Sequence, residues 1–209
     1  MRTILFFLLL IFFKALESQS QVPFKGGFSF GAVASQVDGD GYSGYNKSAI
    51  TAGLWVSKAI DKQSTIQLEM NFVPKGSRSS TKINLDNINH YKLTLRYIEI
   101  PLLYKYESRR IVFVLGLAAN YLFYDYQEGY FSQVAQYQNT TGFNRFDISG
   151  IVGVSMVLNE LWQVGSRFTY SLRDAADNYI APGEIVYNKQ YNNCLMFALY
   201  RTFGHVNHK

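Results

Sequence analysis

Histidine is the side chain that most often carries acid–base chemistry near neutral pH, and this chain of 209 residues has three. His90 falls in or beside a polar connector, while His205 and His208 lie close to the C-terminal end. A Ser-His-acid triad needs its members within hydrogen-bond reach of one another. No such set arises from neighbouring segments, so the sequence predicts no enzyme. A hydrolase or acyltransferase that modifies lipid is kept as an alternative.

A glycine-rich stretch matches the spacing of a phosphate-binding turn. Gly39 to Gly44 reads G-x-G-x-x-G, but that motif requires a strand before it and a helix after it, and no helical pattern follows. Asp38 and Asp40 could contact calcium, yet a calcium ion takes about six to eight oxygen ligands. We therefore predict a polar glycine loop, with no cofactor and no metal.

Charged side chains also occur inside segments that are otherwise apolar at every other position. They are acidic and basic in nearly equal number: Glu69, Arg96, Glu99, Lys105, Asp147 and Arg167. Charges removed from water are tolerated when they pair. The main interpretation is a structural salt-bridge network in the interior of a barrel, with Glu99 as a principal member. A path for protons or ions along the same charges is the alternative.

A second group of charges lies in a polar connector and consists of Lys75, Arg78 and Lys82. Ammonium and guanidinium groups bind phosphate, so this group predicts a contact with lipopolysaccharide. A solvated loop face is the alternative. The net charge of the chain is +5 and is scattered along the sequence, so no nucleic-acid partner is predicted.

The segments that must position these residues alternate apolar with small or polar side chains, which is typical of strands. Long polar connectors alternate with short turns. The long ones are 36–47, 74–90, 125–145 and 173–191, and the short ones are 59–63, 107–110 and 158–161. These connectors separate eight strands of about the 9–11 residues that cross a membrane obliquely. The sequence thus predicts an all-β fold, an eight-stranded antiparallel up-and-down transmembrane β-barrel with both termini in the periplasm.

The fourth predicted strand breaks its alternation. One phase carries Tyr91, Leu93, Leu95 and Tyr97, and the other carries Ile98, Ile100, Leu102, Tyr104 and Tyr106. A β-bulge near Tyr97 would keep both sets facing lipid and would turn Arg96 inward. Pro101 cannot donate a ladder hydrogen bond, so a local irregularity is also expected there. An error in the assigned register is the alternative.

The N-terminal segment indicates the compartment. Arg2 precedes the apolar run from Ile4 to Phe13, which is too short for a membrane-spanning helix of about 20 residues. Small residues at Ser18 and Ser20 suit cleavage by a signal peptidase. We predict a signal peptide at 1–20 and a barrel domain at 21–209, which together point to the cell outer membrane.

One stretch of the fourth strand also resembles a known family. Tyr97-Ile98-Glu99-Ile100-Pro101-Leu102-Leu103-Tyr104-Lys105-Tyr106 is similar to a segment of the PorT-like outer-membrane β-barrel proteins of Bacteroidetes. Leu68 to Phe72, followed by Lys75-Gly76, resembles a second segment of that family, although Asn71 to Pro74 departs from it. The resemblance implies an outer-membrane barrel. Because the family's namesake takes part in type IX secretion, it also implies an accessory role in protein export, with secretion proteins as partners.

These observations lead to one expectation with two branches. We expect a non-enzymatic integral outer-membrane barrel in contact with outer-membrane lipid and lipopolysaccharide. It acts either as an accessory of protein export or as a structural or surface-binding component of the envelope. The third connector, rich in tyrosine, glutamine and asparagine, suits contacts with a partner protein or a glycan. Packing of this connector against itself is the alternative. A narrow ion conductor is the remaining alternative.

Overall fold

The computed structural model describes residues 24–40, 42, 44–79, 90–131, 134–138, 142–176, 179–181, 184–186 and 189–203. The predicted signal peptide, Lys82, His205 and His208 lie outside these residues. The strands are β1 Lys25–Asp38, β2 Lys47–Ala59, β3 Ser64–Arg78, β4 His90–Ser108, β5 Ile111–Phe131, β6 Val134–Gln138, β7 Phe146–Val157, β8 Trp162–Ser171, β9 Tyr179–Ala181, β10 Glu184–Val186 and β11 Tyr191–Thr202. Over the described ranges, no helix is long and apolar enough to span a membrane.

Eight of these strands close into a barrel. Their order is β4-β3-β2-β1-β11-β8-β7-β5, and β5 pairs with β4 to complete the ring. Every neighbouring pair is antiparallel, and strands adjacent in the chain are adjacent in the ring. The predicted eight-stranded antiparallel barrel is confirmed. Short turns follow β2, β4 and β7 at one end, called here the turn end; the longer connectors lie at the opposite end, called the loop end.

Two of the predicted long loops contain further strands. β5 continues past the ring and its last residues, Gln127 to Phe131, pair with β6. β9 and β10 form a separate two-stranded hairpin between β8 and β11. β3 also runs on to Arg78, so its connector begins later than the predicted position, Pro74. Antiparallel strands can continue beyond a membrane as long as each strand edge pairs with a neighbouring strand. The polar composition of these segments therefore did not show where the strands end.

The outer face of β4 shows where the apolar belt ends. Ile98, Ile100, Leu102, Tyr104 and Tyr106 point outward, whereas the outward positions nearer the loop end are Lys92, Thr94 and Arg96. The apolar part therefore runs from Ile98 to Tyr106, close to the length of about 9–11 residues that a tilted strand needs to cross the hydrocarbon core. The change between Arg96 and Ile98 marks the membrane boundary on this side of the barrel.

The irregularity predicted for β4 lies in its neighbour. Arg96 pairs with Tyr124, and Tyr97 pairs with Leu122, so Phe123 is an extra residue of β5. Phe123 and Tyr124 are consequently both exposed on the outer face. A bulge of this kind bends the strand that contains it and increases its twist. The prediction of a bulge in β4 near Tyr97 is therefore wrong in its strand, although the position along the barrel is the same.

Without a bulge of its own, β4 alternates from one end to the other. The side chains that were expected to face lipid, Tyr91, Leu93, Leu95 and Tyr97, are fully buried inside the barrel. They join an apolar cluster at the loop end, whose other members are Val37, Leu122, Phe143, Ala175 and Ala176. Tyr42 stacks on Tyr91 with 4.4 Å between ring centres. The loop end thus has its own hydrophobic core. Removing this apolar surface from water stabilises the loop end, as it stabilises the core of a soluble domain.

Pro101 interrupts the ladder between β3 and β4. Leu68 pairs with Leu102, and Asn71 pairs with Glu99, but the two positions between these pairs form no ladder contact. The missing N–H of proline explains the gap, as the sequence predicted.

Candidate functional site

The lumen is crossed by one bidentate ion pair. Arg167 of β8 donates from Nη1 to Glu69 Oε2 and from Nη2 to Glu69 Oε1, both at 2.7 Å. Three strands separate β3 from β8 on either side of the ring, so the pair joins opposite walls. Each side chain is only 1% exposed. The planar guanidinium matches the carboxylate in two parallel hydrogen bonds, which is the strongest geometry for such a pair.

Amide side chains from β3 hold the carboxylate in place. Gln67 Nε2 donates to Glu69 Oε1 through a short hydrogen bond, and Asn71 Nδ2 donates to Glu69 Oε2 at 2.9 Å. Lys105 of β4 then donates from Nζ to Gln67 Oε1 at 2.7 Å. The ring of Tyr200 lies 5.0 Å from the Arg167 guanidinium and 5.3 Å from the Lys105 ammonium. The pair is therefore the centre of a hydrogen-bonded group that fills the section of the lumen nearer the turn end.

A second ion pair lies one step towards the loop end. Lys75 Nζ donates to Glu99 Oε2 at 3.0 Å, and the ammonium sits 5.2 Å from the centre of the Tyr97 ring. Lys75 is 1% exposed. The predicted contact between Lys75 and lipopolysaccharide is therefore wrong, because the side chain belongs to the inward face of β3. Glu99 is buried as expected, but it pairs with Lys75 and not with the central arginine.

Asp147 occupies the part of the lumen beyond this pair. Ser171 Oγ donates to its Oδ2 at 2.6 Å, and the backbone N–H of Asn192 donates to Ser171 Oγ at 3.1 Å. Asn192 Nδ2 also reaches the hydroxyl of Tyr97 at 3.2 Å. Asp147 Oδ1 has no hydrogen-bond partner among the described residues. This third polar group connects the ion pairs to the apolar cluster at the loop end.

Arg96 lies outside this interior set. Its side chain is exposed on the outer face of β4, and its guanidinium is 4.5 Å from the centre of the Tyr124 ring. The prediction that Arg96 faces the lumen is therefore wrong, because it depended on a bulge in β4. The other five predicted network residues are all buried inside the barrel: Glu69, Glu99, Lys105, Asp147 and Arg167.

Arg96 instead belongs to a basic group on the outer face, just beyond the apolar belt. Lys92 and Arg96 flank Thr94 on β4, and Arg78 of β3 pairs across the ladder with Lys92. Lys47 Nζ donates to Thr94 Oγ1 at 2.9 Å, which brings a fourth cation to the same place. Glu128 partly neutralises the group through Lys92, at 2.9 Å. We call Lys47, Arg78, Lys92 and Arg96 the boundary patch.

Carboxylates in the connectors have unequal environments. Burial raises the pKa of Asp40 to about 6, although the backbone N–H of Tyr42 donates to its Oδ1 at 2.8 Å. In the turn after β2, hydrogen bonds from the backbone N–H groups of Gln63 and Ser64 lower the pKa of Asp61. Asp38 accepts amide hydrogen bonds from Gln36 and Asn193.

Over the described ranges, His, Cys, Asp and Glu side chains form no group of three or more suited to hold a metal.

Several network residues were missed from the sequence, although a signal was present. Gln67, Glu69, Asn71 and Lys75 share one face of β3, so the inward parity that identified Glu69 also pointed to the other three. Tyr200 and Asn192 gave no comparable signal, since which inward residues meet across a lumen depends on the register of all eight strands.

A closed barrel with an apolar outer belt and a paired polar interior defines an outer-membrane β-barrel protein. The family model for the outer membrane protein beta-barrel domain matches residues 15–177, and the chain belongs to that family. The protein is an outer-membrane barrel, as predicted.

Two solved structures of one outer-membrane protein show the same fold. The attachment invasion locus protein Ail of Yersinia pestis has a TM-score of 0.52 at 11% identity, over 86% of this chain and 98% of Ail. A second Ail structure, in complex with the heparin analogue sucrose octasulfate, has a TM-score of 0.51 at 13% identity, over 86% of this chain and 99% of Ail. Neisserial surface protein A has a TM-score of 0.45 at 10% identity, over 86% and 96% of the two chains. No curated protein matches the chain.

The matched family does not single out the PorT-like proteins, so the narrower resemblance stays a prediction. The segment that carries it, Tyr97 to Tyr106, forms the membrane-crossing part of β4. Its Glu99 and Lys105 serve the interior, and its outward positions serve the apolar belt. Packing within a barrel accounts for these residue types without a further role.

Proposed function

We propose that this protein is a non-enzymatic component of the outer membrane that acts through its surface, with the loop end facing outside the cell. The observation that carries the proposal is the Arg167–Glu69 pair, which joins opposite walls of the lumen. An eight-stranded barrel has an interior just wide enough for side chains to fill. A lumen closed by hydrogen-bonded charges does not pass solutes, so ligands can bind on the outer face, on the connectors and at the two ends of the barrel.

The boundary patch identifies the ligand chemistry that suits this surface. Its cations lie directly beyond the apolar belt, at the level where lipid headgroups begin. Arginine and lysine at that depth bind phosphate through charge-assisted hydrogen bonds. We therefore propose that Arg78, Lys92 and Arg96 hold the phosphates of lipopolysaccharide. Of the residues predicted for this contact, Arg78 is retained on an exposed position, and Lys82 lies outside the described residues.

A binding experiment tests this role. The purified barrel is incubated with lipopolysaccharide in detergent, and retained phosphate is measured after gel filtration. The charge-removing variant Arg78→Gln/Arg96→Gln is expected to bind about tenfold more weakly, because two charge-assisted contacts are lost. The control is Lys58→Gln/Arg110→Gln, which removes two exposed charges at the turn end. Equal loss in both double variants would show that only net charge matters and would overturn the assignment to the patch.

Closure of the lumen is tested separately by planar-bilayer recordings. The wild-type protein is expected to give no conductance steps, whereas Glu69→Ala/Arg167→Ala removes the side chains that cross the lumen and is expected to permit ion flow. Steady wild-type conductance would favour the conductor alternative.

An accessory role in export rests on the sequence resemblance alone. Deleting the gene and comparing secreted with periplasmic proteins by mass spectrometry distinguishes the two roles. A surface role predicts an unchanged secretome with altered envelope integrity, whereas selective retention of cargo in the periplasm would replace the surface role by export.

A further inference from the structure

The turn end contains a cavity of about 530 Å³ that the surface role does not use. Its rim is formed by the turn between β7 and β8 and by the end of β11, and its walls include Trp55, Trp162 and Gln163. The volume lies within the range of about 300–1,000 Å³ that small-molecule sites occupy. We call this cavity the turn-end vestibule.

Lys105 lines the vestibule and is 6% exposed. Its Nζ bonds to Gln67 Oε1 and faces the Tyr200 ring, and both of these partners are neutral. The carboxylate in its electrostatic surroundings, Glu69, is already bound on both oxygens by Arg167. The group formed by Lys105, Glu69 and Arg167 therefore carries one positive charge in excess. A buried charge without a counter-charge is costly, so an anion at this place would stabilise the barrel.

A second observation indicates the same ligand chemistry. Gln163 also lines the vestibule, and its Nε2, a hydrogen-bond donor, is buried without a partner among the described residues. Buried donors are nearly always satisfied by protein, water or a ligand. The vestibule thus combines an ammonium that lacks a counter-ion with an amide N–H₂ group that lacks an acceptor.

We propose that the turn-end vestibule binds the carboxylate or phosphate group of a small molecule against Lys105, with Gln163 as a further donor and the ring of Trp55 beside the rest of the ligand. Glu107 and Glu160 line the cavity from exposed positions, where water screens their charge. Lys25 offsets one of these two charges on the same rim. The site is independent of the boundary patch, which lies at the other end of the barrel.

The chain supplies its own probe for this site, because Trp55 and Trp162 are its two tryptophans and both line the vestibule. The full chain in detergent is titrated with sodium phosphate and, in a parallel arm, with sodium acetate, at an ionic strength held constant with sodium chloride. A saturable change of tryptophan fluorescence is expected, and the arm with the lower half-saturation concentration identifies the preferred anion. A change that follows neither anion saturably would overturn the proposal.

Two variants assign the binding to the proposed residues. Lys105→Gln keeps a polar group beside Gln67 but removes the charge, and it is expected to raise the half-saturation concentration at least tenfold. Arg173→Gln, which removes an exposed charge at the loop end outside the boundary patch, is the matched control and is expected to bind as the wild type does. Equal binding by Lys105→Gln and the wild type would refute the site.

Gln163→Leu keeps the interior charges intact and serves if Lys105→Gln fails to fold. It is expected to weaken binding severalfold, and unchanged binding would remove Gln163 from the site.

The ¹⁵N resonance of the Lys105 side chain provides a direct measurement. An ammonium signal that shifts on addition of phosphate supports the proposal, whereas a neutral amine that does not respond to phosphate overturns it.

Discussion

Glu69 and Arg167 meet across the full width of the barrel, from strands that lie opposite each other in the ring, through two hydrogen bonds of 2.7 Å. The pair lies 98 positions apart in the chain. It fixes the relative position of two walls that share no backbone hydrogen bonds. Because the pair closes the lumen, we propose that the protein acts through its outer surface.

Breaking this pair on one side is expected to destabilise the barrel strongly. Arg167→Leu leaves a buried carboxylate without its cation, at a cost of about 3–5 kcal/mol in the free energy of unfolding. The double variant Glu69→Leu/Arg167→Leu removes both charges and is expected to recover most of that loss. Urea unfolding in lipid vesicles, followed by tryptophan fluorescence, measures both. The control is Lys92→Ala/Glu128→Ala, a partly exposed pair whose loss is expected to cost less than about 1 kcal/mol.

Gly53 is expected to be required by the same network. A Cβ atom at this position would overlap with Asn71 Oδ1 and would lie 2.8 Å from the carbonyl oxygen of Met70. Because Asn71 supports Glu69, Gly53→Ala is expected to lower stability by about 1–3 kcal/mol through overpacking. Gly26→Ala is the comparison, since its Cβ would meet the Trp55 carbonyl oxygen at an ordinary 3.5 Å. Equal unfolding midpoints for the two variants would contradict this reading.

Lys75 and Arg78 are close in sequence but are expected to respond in opposite ways. Lys75→Met should leave lipopolysaccharide binding unchanged and should destabilise the barrel, because Glu99 loses its buried partner. Arg78→Gln should weaken lipopolysaccharide binding with little change in stability, since its side chain is exposed. Parallel binding and urea-unfolding measurements on both variants test the assignment. If Lys75→Met lost lipopolysaccharide binding while its free energy of unfolding stayed unchanged, Lys75 would contact lipopolysaccharide after all, which its burial in the structure excludes.

Asp40 is expected to make stability depend on pH in an unusual direction. Its pKa of about 6 when folded exceeds the ordinary value of 3.8, so between these values the folded protein holds the proton more tightly than the unfolded chain. Stability from this group is therefore present below about pH 4 and is lost as the pH rises to about 6. The difference in unfolding free energy between the wild type and Asp40→Asn, measured from pH 4 to 7.5, should fall by about 2 kcal/mol.

Asp61 supplies a control of opposite sign. Its pKa is lowered in the folded protein, so its contribution is present above the ordinary value and is lost on acidification. The wild-type difference from Asp61→Asn should therefore increase as the pH rises from below 4. The same sign of pH dependence for both variants would show that general acid denaturation, and not burial of Asp40, dominates.

Local pattern was enough to predict the architecture. The alternation of side chains predicted the faces of most strands, and the seven connectors predicted the eight strands of the ring and the positions of the short turns. Both signals are local, because strand periodicity and turn composition depend on neighbours in the chain. For the same reason, five of the six predicted interior charges are correctly placed on inward positions.

The errors arose where one local pattern fits two environments. The apolar face of the segment from Tyr91 to Tyr97 was predicted to contact lipid, whereas in the structure it packs into the core of the loop end. Arg96 was misplaced by the same mistake. Lys75 was misplaced because β3 continues past Pro74, where the connector was predicted to begin.

The sequence by itself determined that the chain is a membrane barrel with charges inside, because alternation and strand length follow from the bilayer and the period of the backbone. Only the tertiary structure decided that Glu69 pairs with Arg167, that Lys75 pairs with Glu99 and that Lys105 lines a cavity outside both ion pairs. Those contacts depend on the closure and register of the whole ring, to which every strand contributes and which no single segment encodes.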